Sequence, residues 1–296
     1  MFDALSCLVF LFLMAVGTVA MLYAVRGSAV PRRPPVNSRA VADLTGKPTD
    51  VVLRGVSVVL PAHNEEVNIA EAVRQAIAAA EAVSRRQEVI VVDDGSNDAT
   101  AAVATALRRQ DPRVRIVKHE RNRGYGSAVR SGIAAAGMEW VLLTDADLQF
   151  DLRQLSEFVP HTVDSELVVG YRARRCDPLV RRLNARAWNA LIFVLFQLHV
   201  RDVDAAFKLI RRDVLGGLEL FSTGATIDTE LLAKARRRGA RLVELPVLHR
   251  PRLAGEASGA DLRVIVRAFR ELFQLRRDMH EQGAPPLRVT PDAQRA

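Results

Sequence analysis

At 296 residues, 49% hydrophobic and 26% charged, the chain has the composition of a folded protein rather than a disordered one, with room for one large domain and appendages. Its net charge of +8 is carried by arginine, since lysine stands only at positions 47, 118, 208 and 234; guanidinium forks suit phosphate, pyrophosphate or an anionic membrane surface. Few aromatics and no helix-turn-helix, zinc-finger or RNP-like pattern argue against nucleic acid, and the distant Cys7 and Cys176 against a disulfide or zinc site.

Residues 4–25 (ALSCLVFLFLMAVGTVAMLYAV) are uncharged. At about 1.5 Å per residue they reach about 33 Å, enough for a hydrocarbon core of ~30 Å. A cleaved signal peptide fits less well, because Asp3 and no basic residue precedes the run. Arg26, Arg32, Arg33 and Arg39 follow, which by the positive-inside rule makes this a single-pass anchor with the large domain on the cytoplasmic side. The expected division is an anchor at 1–26, a Pro-containing linker at 27–54, a catalytic domain at 55–259, a basic amphipathic helix at 260–278 and a mobile tail at 279–296.

From residue 56 the sequence alternates in the βαβ manner. Strands are predicted at 56–60, 89–92, 114–117, 140–144, 166–169, 207–210 and 242–247. Helices are predicted from Asn64 to about 83, from a cap at Ser96 or Asn97 to 109, from Gly124 to about 136, at 179–199 and at 227–238. The run 188–200 (WNALIFVLFQLHV) is too short to span a bilayer and fits a membrane interface or a buried core helix equally. Residues 261–277 interleave Val264, Ile265, Phe269, Leu272 and Phe273 with five arginines, which suits an anionic leaflet or packing on the domain.

Two apolar strands end in acids: VIVVDDGS delivers Asp93 and Asp94, and WVLLTDADLQF delivers Asp145, Ala146 and Asp147. Carboxylates one residue apart share a side of an extended chain and suit a hard divalent cation. Acids closing parallel strands place a site at the carboxyl edge of an open sheet. Gly124 and Gly126, opening a helix after Asn122, permit close backbone approach; a dinucleotide fingerprint would need a third glycine where Val129 stands.

Four segments in order, VSVVLPAHNEEVNI, VIVVDDGSNDAT, NRGYGSAVRSGIAAAG and LLTDADLQF, together resemble the family 2 glycosyltransferases of GT-A fold. Later segments, VVGYR, DVDAAFKLIRR and ELPVLHRPR, are most similar to the dolichol- and polyprenyl-phosphate mannosyl- and glucosyltransferases. The resemblance implies an α/β GT-A domain and metal-dependent, inverting transfer of a hexose from a GDP- or UDP-sugar to a polyprenyl phosphate. It assigns Mg²⁺ or Mn²⁺ to Asp145, Asp147 and Gln149. It assigns the nucleotide sugar to Pro61, Ala62, His63, Glu65, Asp93, Asp94, Asn122, Gly124, Asp145 and Ala146, with Asp94 on the base; His63 stands where the family often has tyrosine. Arg172 and Arg182 fall at positions near the acceptor phosphate, and Asp202, with Asp204 adjacent, at an acid that assists acceptor activation. Transfer to a glycan or glycolipid hydroxyl and a silent nucleotide-sugar-binding scaffold are the rival readings; the Gln-x-x-Arg-Trp motif of processive synthases is absent.

Overall fold

The seven predicted strands pair into one sheet in the computed structural model, which describes residues 51–173, 179–250 and 262–281. Strands β1 (Val56–Ala62), β2 (Gln87–Asp93), β3 (Val114–Lys118), β4 (Trp140–Thr144), β5 (Leu167–Arg172), β6 (Phe207–Arg211) and β7 (Leu242–Val247) lie in the order β3-β2-β1-β4-β6-β5-β7. The principal helices are α1 (Ile69–Glu81), α2 (Thr100–Gln110), α3 (Tyr125–Ala135), α4 (Leu179–Phe196), α5 (Thr226–Arg237) and α6 (Leu262–Glu281). All pairings are parallel except those of β6, which runs against both β4 and β5.

Strand alternation builds a core on each face. Val56, Val58 and Leu60 of β1 point into one cluster with Ile69, Ala72 and Ala76 of α1. Val59 points into the other, with Val129 of α3, Ile192 of α4 and Leu231 of α5. Both faces are covered, so the strands read as unbroken apolar runs.

Several expected boundaries move for local reasons. The first helix starts at Ile69, not Asn64, because the intervening amides bond elsewhere: Asn64 N donates to Ser96 Oγ (3.0 Å), Glu65 N to Thr100 Oγ1 (2.8 Å) and Glu66 N to Asp98 Oδ2 (3.1 Å). Asn64 itself has φ of 56°. Helix α2 starts at Thr100, and its first amide is met by Asp98 Oδ1 at 3.0 Å, so Asp98 does the work expected of Ser96 or Asn97. Helix α4 stops at Phe196, where Gln197 takes φ of 54°.

The two segments with membrane or core alternatives both pack inward. Leu191, Ile192, Leu195 and Leu198 are buried, as are Leu272, Leu275 and Met279 of α6, and Phe269 meets Trp188 edge-on at 5.7 Å. The outward side of α6 exposes Phe273 beside Arg267, Arg270 and Arg277. Among the described residues no helix is long and apolar enough to cross a membrane; residues 4–25 lie outside them.

This topology decides where the chemistry gathers. Strand order reverses between β1 and β4, which in an open sheet makes a crevice at the carboxyl edge. Because β6 is antiparallel, the chain just before it returns to that edge: Phe207 pairs with Thr144. Asp94, Asp145, Arg172 and Asp202 therefore meet at one end of the sheet.

Candidate active site

On the β1–β2 side, Asp94 is buried and closes a loop. Its Oδ1 accepts from His119 Nδ1 (2.6 Å) and Arg123 N (2.9 Å), and its Oδ2 from Gly124 N (2.8 Å). His119 Nε2 in turn lies 2.8 Å from Ser131 Oγ. Carbonyls only accept, so His63 Nδ1 donates to Asp94 O at 3.0 Å, while Asp94 N reaches Ala62 O beside Pro61. Glu65 accepts from Asn68 Nδ2 (2.7 Å), and Asn122 Oδ1 accepts from Gly124 N (2.9 Å). Asp93 is fully buried; Oδ1 takes Ser96 N at 3.0 Å, and Oδ2 has no hydrogen-bond partner among the described residues. The predicted nucleotide-binding residues that follow β1, β2 and β3 thus converge on one loop system, while Asp145 and the buried Ala146 follow β4.

The glycines that open α3 admit a close backbone approach, and the atoms that approach belong to the chain itself. A Cβ at Gly124, whose φ is 93°, would sit 2.4 Å from Thr223 O. One at Gly126 would sit 2.5 Å from Ser222 O and 2.7 Å from Gly224 O, and Gly126 N donates to Thr223 O at 2.8 Å. They admit another segment of the chain, residues 220–224, against the helix start. Those atoms are backbone and cannot swing aside. Gly126→Ala is therefore expected to cost at least about 1–3 kcal/mol in urea unfolding, the range for overpacking. A loss below about 0.5 kcal/mol, within the scatter of neutral surface changes, would mean the 220–224 segment yields.

On the β4–β6 side lies an acid cluster. Asp145 follows β4 and is half-buried; Asp147 is buried, with Oδ1 accepting from Gln149 N at 3.1 Å. Gln149 Nε2 donates to Arg250 O (3.1 Å), which leaves its amide oxygen as the atom a hard cation would take. Across the cleft Asp202 is held in a bidentate pair by Arg172, at 2.6 Å from Nε and 2.8 Å from Nη2. The two residues predicted separately for the acceptor form one unit. Arg182 lies on α4, its side chain outside the described residues.

Beneath them is a cation that sequence reasoning passed over. Lys208, in the apolar run FKLI, is wholly buried, with Nζ 2.7 Å from Asp228 Oδ1 and 2.6 Å from Ala205 O. Asp228 stands in the first turn of α5, where the helix dipole favours an acid. The available signals were a lysine inside a strand pattern and an acid opening a helix.

Charge in the cluster is under-compensated. Burial first, then the charges of Asp147 and Asp228, push the Asp145 carboxyl up to about 7. Desolvation, then Asp228 and Asp202, push Asp204 up to about 6, even though its side chain opens to solvent. Thr144, Thr226 and Thr229, on the elements that frame the cluster, bury hydroxyls with no hydrogen-bond partner among the described residues. Among those residues no three His, Cys, Asp or Glu side chains are gathered as a metal-ligand group. Two carboxylates with an amide oxygen and excess negative charge nonetheless suit Mg²⁺ or Mn²⁺, which complete their shells with water or substrate oxygens.

A carboxyl raised in the folded state retains its proton there longer than in the unfolded chain. The metal-free fold should therefore lose stability as pH rises from the ordinary Asp value of 3.8 toward 7. Mn²⁺ competes with that proton, so its thermal upshift is expected to be larger at pH 8 than at pH 6. Differential scanning fluorimetry with a chelator control checks this; equal upshifts would count against Asp145 as a ligand.

Comparison with known proteins agrees with this architecture. Residues 57–218, more than half of the chain, match the family model for glycosyl transferase family 2. The chain is 31% identical over 207 residues to Glycosyltransferase AglD of Haloferax volcanii, covering 67% of this chain and 33% of that protein. It is 31% identical over 216 residues to the undecaprenyl-phosphate 4-deoxy-4-formamido-L-arabinose transferase of Pectobacterium atrosepticum, covering 72% and 65%. The matches thus span a third of the first relative's length and 65% of the second's. Among solved structures, glucosyl-3-phosphoglycerate synthase from Mycobacterium tuberculosis with Mn²⁺, UDP and phosphoglyceric acid superposes with a TM-score of 0.55 at 22% identity, covering 83% of each chain. A Pyrobaculum calidifontis mannosyltransferase with GDP-Man and Mn²⁺ gives 0.57 at 21% identity, covering 94% of this chain and 77% of that one. These likenesses are of fold, the GT-A arrangement of a mostly parallel sheet flanked by helices. With two acid-ended strands at a common sheet edge and a family match over most of the sheet, the chain belongs to family 2 of the glycosyltransferases.

Proposed function

We propose that this enzyme transfers a hexose from a GDP- or UDP-sugar to a polyprenyl phosphate, with inversion, at the cytoplasmic face of a membrane that residues 4–25 anchor. The observation that carries the reading is the charge arrangement at the sheet edge. Asp145 and Asp147 stand with an excess of negative charge on one side, and Asp94 orders the 122–124 loop on the other.

In this reading Asp145, Asp147 and the Gln149 amide oxygen hold Mg²⁺ or Mn²⁺, which would supply positive charge for the diphosphate leaving group. Pro61, Ala62, His63, Glu65, Asp93 and Asn122 shape the nucleotide loops around Asp94. Lys208 fixes Asp228 below the cluster. Arg172 and Arg182 serve the acceptor phosphate, with Asp202 holding the Arg172 guanidinium in its fork geometry. A phosphate acceptor is already ionised and needs little deprotonation. That suits a site in which Asp202 is engaged by Arg172 and Asp228 by Lys208. The undecaprenyl-phosphate transferases among the relatives support the same acceptor class.

The test is a mass-spectrometric transfer assay with the full chain, Mn²⁺ or Mg²⁺, short polyprenyl phosphate and a panel of GDP- and UDP-sugars. The expected result is a polyprenyl-phosphate hexose that disappears with chelator. Donor hydrolysis without lipid product would overturn the acceptor. No donor consumed or bound would overturn the enzymatic reading.

A further inference from the structure

Residues 219–224 form a strap across the start of α3, held from four sides. Arg130 Nη1 donates to Leu220 O (2.9 Å), and Lys234 Nζ donates to Glu219 O. Glu230 accepts from Phe221 N (3.0 Å) and Ser222 N (2.8 Å). The fourth holder comes from the last described helix: Glu271 accepts from Thr223 N (3.2 Å), Thr223 Oγ1 (2.8 Å) and Gly224 N (3.3 Å).

The strap's far side is the donor loop. Thr223 O takes the Gly126 amide, and the Gly124 and Gly126 Cα atoms lie against strap carbonyls. Gly124 N is in turn one of the groups bound by Asp94. A continuous path of direct bonds thus runs from Glu271 through Thr223 and Gly126 to the loop at Asp94.

We propose that Glu271 is a positioning residue for donor binding: it clamps the strap that sets the 122–126 loop against the nucleotide. This inference rests on the donor reading given above. Glu271 acts at a distance, through Thr223 and Gly224, from a helix seated on the domain by Leu272, Leu275 and Met279. Removing its carboxylate frees the Thr223 and Gly224 amides and loosens the strap, while the apolar seat of α6 stays. The cost should fall on donor affinity and leave acceptor KM unmoved.

Two measurements on the full chain test it, with UDP and GDP plus Mn²⁺ as probes in calorimetry and hydrogen–deuterium exchange without nucleotide. Glu271→Ala is expected to raise the nucleotide Kd and donor KM about tenfold, Glu271→Gln and Thr223→Val by less, in the range of a lost charge-assisted hydrogen bond. Exchange should quicken at 122–127 and 220–224, and Arg270→Ala, on the outward side of the same helix, should change neither. If Glu271→Ala fails to fold, Glu271→Gln and Thr223→Val carry the test. A folded Glu271 variant with unchanged Kd for a nucleotide that wild type binds overturns the proposal. If wild type binds neither nucleotide, the donor reading fails; unchanged exchange at 122–127 would then overturn the clamp on its own.

Discussion

Asp147→Asn is expected to slow sugar transfer by about a hundred- to a thousandfold in a protein that still folds. Asparagine keeps an oxygen for the Gln149 amide that Asp147 Oδ1 now accepts at 3.1 Å, so the turn after β4 survives. It removes one of the two charges expected to hold the divalent cation. Charge directed at a leaving group within a sheltered site contributes several kcal/mol to the barrier, and loss of a single such group commonly costs about 10²–10³ in rate. Transfer rates and thermal midpoints for wild type, Asp147→Asn and Asp145→Asn check this. Near wild-type turnover in folded Asp147→Asn would overturn the metal assignment.

Lys208→Met should be among the most destabilising single changes, by about 3–5 kcal/mol, because it strands Asp228 as a buried carboxylate without its partner. Lys208 is wholly buried, and Asp228 nearly so. Burial already raises the Asp228 pKa although Lys208 opposes it. Without the lysine the folded pKa rises further, while the unfolded value stays that of an ordinary Asp. The penalty is small where both states are protonated and grows as pH rises from about 4, so it should be larger at pH 8 than at pH 5. Urea unfolding at both values measures it. The double variant Lys208→Met/Asp228→Leu should recover most of the loss, since replacing both members of a buried pair is often near neutral. A single variant as stable as wild type at pH 8 would show the pair to be solvated.

What could be read in advance follows from range. Asp93, Asp94, Asp145 and Asp147 stand beside the strand runs that deliver them, so pattern and chemistry share one short window. Even there, local signals competed. Asn64–Glu66 resemble a helix start, yet their amides bond to Ser96, Asp98 and Thr100 of the loop that follows the neighbouring β2. The glycines of Gly124-Tyr125-Gly126 were correctly read as a close approach, but the approaching atoms belong to residues 222–224. Nothing near position 126 announces them.

The sequence by itself determined the number of strands and their succession along the chain, the acids at the ends of two of them and the membership of the family. These depend on periodicity and on neighbours a few residues apart. Only the tertiary structure decided that Arg172 is bound to Asp202, that Lys208 is the buried counter-charge of Asp228, and that Glu271 holds Thr223, whose carbonyl takes the Gly126 amide. The physical reason is the antiparallel β6. It starts at the carboxyl edge, so the segment before it returns there and partners tens of residues apart meet through packing that no local pattern encodes.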